Sequence, residues 1–210
     1  MKIVILSCGK VSEANRTEIN SAAFDELYRL TVEGDIEPAA AKHIAAEGRR
    51  IYIGCGKAAR QTAEQFIDGE SVTEQALLNE VPQRAYRDSE TALPLRHWQR
   101  MAALQRYLGN RRQPESRAQA LARADELISR LEAGGQDCIL VSYPIFLKYL
   151  LERLKAHGYC VARSEIFSIK PLERILVTRR DMHCGGCSHN CLLTNPGCGV
   201  GRDKAQRHSG

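Results

Sequence analysis

Met1-Lys-Ile-Val-Ile-Leu-Ser-Cys-Gly-Lys10 decides how this chain is read. Ile3 to Leu6 form an unbroken apolar run that stops at Ser7-Cys8-Gly9. A short apolar run closed by a turn signal predicts a strand buried on both faces. Open α/β sheets bind ligands just beyond the carboxyl ends of such strands. Ser7, Cys8 and Lys10 are therefore expected at the mouth of a pocket.

Two later segments repeat the pattern. Arg49-Arg50 leads into Ile51-Tyr-Ile53, which ends in Gly54-Cys55-Gly56-Lys57 ahead of a helix over 58–67. Cys138-Ile-Leu-Val-Ser142 turns through Tyr143-Pro144 into a helix over 145–157, with proline comfortable in its first turn. Further helices are expected over 22–30, 38–47 and 95–108, the last with Trp98, Met101, Ala102 and Leu108 on one face. Ser116 and Gln119 form a capping box for a helix reaching residue 133. Its stripe is Leu121, Ala124, Leu127, Ile128 and Leu131. Segments 159–162 and 174–178 read as strands flanking 166–172. Residues 68–94 show no sustained period, so they are expected to leave the core and reach over the pocket. The fold class is α/β.

The 210 residues suit one such domain with a short appendage, and the net charge of +5 is mild. One lysine ahead of a few apolar residues is too short for a signal peptide or a membrane span, so a cytoplasmic protein is expected. Arg96, Arg100, Arg106, Arg111, Arg112, Arg117 and Arg123 read as a solvated helical face. Without aromatic interleaving they give no nucleic-acid surface. His43, His97 and His157 stand isolated. Neither a nucleic acid nor a membrane is expected as partner.

The eight cysteines fall into two sets. Cys8, Cys55, Cys138 and Cys160 are dispersed, as small buried residues are. Cys184, Cys187, Cys191 and Cys198 lie within fifteen residues, among glycines that permit sharp turns. Four thiolates suit tetrahedral zinc, the simpler reading, or an iron–sulfur cluster. His183 or His189 could replace one sulfur. A reduced or disulfide-bonded tail is the alternative. The chain thus divides into residues 1–180 and a cysteine-rich, metal-binding tail, 181–210, which could also engage a protein partner.

Three segments, 2–10, 51–64 and 138–154, together resemble the signature strand–turn segments of the histidine phosphatase superfamily, the phosphoglycerate-mutase-like proteins. Ala59-Arg60-Gln61-Thr62-Ala63-Glu64 matches that family's Arg-Ala-x-Gln-Thr-Ala segment and sets the register. Asn15, Leu30-Thr-Val-Glu-Gly34 and Glu115-Ser116 are supporting matches. The resemblance implies the family fold over about residues 2–175, a three-layer sandwich whose mostly parallel central sheet is flanked by helices. It also implies where catalytic groups would sit. The histidine nucleophile falls on Cys8, the two arginines on Ser7 and Ala58, the second histidine on Tyr143, and the proton donor on Glu80. The imidazoles and guanidinium groups that carry and clamp a phosphoryl group are thus replaced. The chain is read as a catalytically degenerate member, a metal-binding protein with a ligand-binding or regulatory role.

Other chemistries stay open. Cys8 and Cys55 could form a thiol, redox or shared-metal pocket. Lys10, Cys55, Gly56 and Lys57 could hold an anionic or phosphorylated small molecule at a helix N-terminus. A phosphatase acting on phosphate esters through Glu80 is the third reading.

Overall fold

The computed structural model describes residues 1–11, 17–40, 43–69, 71–161 and 169–179. In chain order the elements are β1 (Lys2–Ser7), β2 (Glu18–Ile19), α1 (Ser21–Glu33), β3 (Ile44–Ala45), β4 (Arg50–Ile53), α2 (Lys57–Phe66), β5 (Ile67–Asp68) and β6 (Val72–Glu74). They continue with β7 (Leu93–Pro94), α3 (Leu95–Tyr107), α4 (Arg117–Gly134), β8 (Cys138–Ser142), α5 (Pro144–Ala156), β9 (Tyr159–Cys160) and β10 (Arg174–Arg179). The central sheet runs β6-β4-β8-β1-β10-β9. β6, β4, β8 and β1 pair in parallel, and β10 joins antiparallel to β1.

The apolar run of β1 is explained by burial on both faces. Ile3 and Ile5 pack with Cys138 and Leu140 of β8 against α4 and α5. Val4 and Leu6 pack with Ile139 and Val141 against α2. The period of two splits each strand between two cores, which is why Ile3–Leu6 is apolar on both faces. A third, smaller core joins Phe24 of α1 to Trp98 and Ala102 of α3 and to Ile19 and Ala85. The buried Trp98 indole donates to the Ile19 carbonyl oxygen at 2.8 Å. The expected three-layer α/β sandwich is the observed fold.

Local signals set several boundaries. Asn20 caps α1 through the Ala23 amide. Ser116 and Gln119 form the expected reciprocal box at α4, and Pro144 occupies the first turn of α5. The expected helix over 38–47 is not formed. Ile44–Ala45 instead pairs with Ile67–Asp68, and Glu47 and Gly48 turn with positive φ of 50° and 76°. Burying Ile44 against β5 overrides the proline and glycine that mimic helix ends. Residues 68–94 are also more ordered than expected: β6 extends the sheet, and Leu78, Glu80, Val81 and Ala85 are buried. On α3, Leu108 is exposed rather than core-facing; on α4, Ala120 rather than Leu121 completes the buried stripe. Asn15, residues 166–168 and the tail cysteines 184, 187, 191 and 198 lie outside the described residues.

Candidate functional site

Register brings three strand ends together. Ser7 lies beside Ser142, and Ile53 beside Val141. The ladder continues one step further: the Cys8 amide donates to the Ser142 carbonyl at 2.9 Å, and the Gly54 amide to the Val141 carbonyl at 3.1 Å. Cys8, Gly54 and Tyr143 therefore leave the sheet side by side, as the sequence predicts.

What they build is a packed plug. Ser7, Ala58 and Tyr143 are fully buried and Cys8 is 3% exposed. The Gly9 amide donates to Thr62 Oγ1 at 3.0 Å, tying the turn after β1 to α2. Burial pushes the Cys8 thiol well above its usual range, and nearby Glu80 adds to this, while Thr62 opposes it. Tyr143 is likewise driven up by burial and by Cys8. The Ala59 amide faces it and favours the ionised form, yet no described group completes a hydrogen bond to its hydroxyl, nor to Ser7 Oγ. Gly56 is required here: a Cβ would lie 2.2 Å from the Tyr143 hydroxyl and 2.5 Å from Val32 Cγ1.

The two mouth lysines are engaged at the surface. Lys10 pairs with Glu37 at 3.1 Å and Lys57 with Asp35 at 2.7 Å. Cys55 is exposed, and its amide donates to Asn79 Oδ1 at 2.7 Å. Arg60, one turn along α2, pairs with Glu74. Among the described residues, no three His, Cys, Asp or Glu side chains form a metal cluster.

Glu80 holds a different position. Its Oε1 accepts the Val81 amide at 2.8 Å and the Phe146 amide at 2.9 Å; its Oε2 accepts the Ile145 amide at 3.2 Å. It thus caps the first turn of α5, where amides are otherwise unpaired and the helix dipole favours negative charge. Burial raises its pKa; the three amides and Arg106 oppose that. Arg123 fixes the segment before Glu80. It forks onto Glu115 with two 2.9 Å contacts, donates to the Leu77 and Asn79 carbonyls, and lies 4.1 Å over the Phe146 ring.

The solvated-arginine expectation is corrected for Arg123 and for Arg106. Arg106 is 2% exposed, with Nε and Nη2 unpaired among the described residues. The histidines are not isolated either: His43 meets Asp68, His157 meets Asp125, and His97 meets Tyr86. Beside Glu80 opens a cavity of about 190 Å³ lined by Phe24, Leu27, Tyr28, Thr31, Gln83, Gln99, Pro144 and Ile145. Tyr28 falls in the helix expected over 22–30, whereas the sequence carries no signal for Gln83 or Gln99.

The α/β fold, with a mostly parallel central sheet flanked by helices, is similar to that of known phosphatase structures. Two solved structures carry that comparison. One is a histidine-to-alanine mutant of the phosphoserine phosphatase from Entamoeba histolytica in complex with phosphoserine: TM-score 0.51, 12% identity, covering 83% of this chain and 89% of that one. The other is phosphoserine phosphatase from the same organism in complex with 3-phosphoglyceric acid: TM-score 0.50, 11% identity, with the same coverage. No sequence-family model and no curated protein matches the chain. No helix among the described residues is long and apolar enough to cross a membrane.

Proposed function

We propose that this chain is a ligand-binding or regulatory protein on a phosphatase fold, without phosphohistidine chemistry. The observation that carries the reading is the plug: Ser7, Cys8, Ala58 and Tyr143 are buried and uncharged where the resemblance places the phosphoryl-handling groups. A thiol whose pKa is raised by burial is a poor nucleophile. This also counts against Cys8 and exposed Cys55 acting as a reactive pair. Glu80, the remaining acid, accepts amides at the start of α5.

An anionic ligand fits the mouth better than the plug. Lys10 and Lys57 form exposed pairs, and such pairs contribute little, on the order of 1 kcal/mol or less. An incoming anion could replace Glu37 and Asp35 beside the Gly54–Lys57 turn. The phosphorylated ligands named for the two structural neighbours are consistent with this class. The tail thiols Cys184, Cys187, Cys191 and Cys198 bind zinc in this reading, an iron–sulfur cluster being the alternative, and could present a surface to a protein partner.

The deciding experiment is a phosphatase assay with p-nitrophenyl phosphate on wild type and Cys8→Ala. No turnover above buffer in either is expected. Turnover abolished by Cys8→Ala would overturn the reading and favour the thiol enzyme. Turnover that survives Cys8→Ala and is lost in Glu80→Gln would favour the phosphatase. Metal analysis with a visible spectrum of anaerobically purified protein tests the tail: one colourless zinc per chain is expected, a brown protein indicates a cluster, and no metal removes that part of the proposal.

A further inference from the structure

The cavity beside Glu80 is chemically unlike the mouth. Its lining contains one charged side chain, the Glu80 carboxylate, and no lysine, arginine or histidine. An ionised carboxylate offers about four acceptor positions. Three amides use two on Oε1 and one on Oε2, so Oε2 keeps an acceptor position that no described group fills. Desolvation raises the Glu80 pKa, and the three amides and the buried Arg106 oppose that rise. The remaining lining pairs apolar and aromatic surface from Phe24, Leu27, Tyr28 and Ile145 with the side-chain amides of Gln83 and Gln99. A phosphate placed here would meet a like charge with no cation in the wall. A cationic nitrogen would instead meet a carboxyl group already held by three backbone amides, and its own charge would favour the ionised form. At about 190 Å³ the space exceeds the ~150 Å³ of a cavity that accepts benzene, so a ring with a short side chain fits.

We propose that this cavity binds a small amine: an ammonium group donates to Glu80 Oε2, and an aromatic or aliphatic body lies against Phe24, Tyr28 and Ile145. The site goes beyond the anion-binding mouth and does not depend on it. Donation from an ammonium to a carboxylate is roughly twice as strong as a neutral hydrogen bond. Selectivity of about tenfold or more over an uncharged isostere is therefore expected.

The test is calorimetric titration of the full chain at neutral pH with phenethylamine, phenethyl alcohol and phenyl phosphate. Phenethylamine is expected to bind at about tenfold or more lower Kd than the alcohol. Phenyl phosphate is expected not to compete with the amine, even where it binds the mouth. Leu27→Trp puts bulk into the cavity while keeping the Glu80 side chain, and should abolish amine binding; Glu80→Gln should bring amine and alcohol to equal affinity. Equal affinities in wild type, displacement of the amine by phenyl phosphate, unchanged amine binding in Leu27→Trp, or no amine binding at millimolar concentration would each overturn the proposal. Because the readout is amine binding and not ester turnover, its failure is distinct from failure of the non-enzymatic reading.

Discussion

Cys8 and Glu80 are both buried near the ends of the parallel strands, yet their surroundings treat them in opposite ways. Around Cys8 the chain has filled space: Tyr143, Ala58 and Thr62 crowd the thiol, and Gly56 yields its side chain to make room. Around Glu80 the chain has supplied hydrogen bonds and left space: three amides hold the carboxylate at the wall of a cavity. One strand-end region thus contains a site closed by packing next to a site kept open by capping. The difference teaches that a scaffold can lose chemistry at one point of its mouth without losing a cavity a few residues away.

That contrast can be broken by mutation. The largest effect is expected at the plug. Tyr143→Ala removes a fully buried ring and should cost about 3–5 kcal/mol of stability, measured as a lowered urea midpoint. A loss below 1 kcal/mol would mean that the plug is loosely packed. Gly56→Ala comes next, with a Cβ forced against Tyr143 and Val32, and should cost about 1–3 kcal/mol by the same measurement. An unchanged midpoint there would show that the two side chains yield freely.

The smallest effect concerns Glu80 and pH. Its folded pKa is raised above the unfolded value, so the native state binds the extra proton. This contribution to stability is fully present below the unfolded pKa and is lost as pH rises through the folded one. The slope is at most about 1.4 kcal/mol per pH unit for one group. Urea midpoints of wild type minus those of Glu80→Gln should therefore decline as pH rises above the ordinary glutamate range. A difference that grows with pH would place Glu80 in a more stabilising, ion-paired setting than described.

The sheet was legible because its signals are local and redundant. Ile3–Leu6 and Cys138–Val141 are apolar on both faces, and each is closed by a residue pattern that stops a strand. Ser116 and Gln119 announced α4 three residues apart. Pro38 and Gly48 announced a helix equally well, but the signal failed because Ile44 gains more by pairing alongside Ile67 than a short helix would supply. The site was half legible. Its strand-end residues came from the three readable segments. The cavity wall did not, because Tyr28, Gln83, Gln99 and Ile145 come from four separate stretches whose meeting depends on how α1 and α3 pack. Arg106 shows the same limit: nothing in its sequence neighbourhood distinguishes a buried guanidinium from the exposed ones around it.

The position of β1 also has a consequence for how the chain assembles. Its partners are residues 138–142 on one side and 174–178 on the other. Strand β1 must therefore wait for residues 138–178 before both flanks are covered. Folding with such distant pairings is slow, and during synthesis the run Ile3–Leu6 remains an unpaired apolar edge open to wrong contacts. A nascent chain halted before residue 174 would carry that edge half covered. Chaperone dependence during translation should then fall once β10 has emerged.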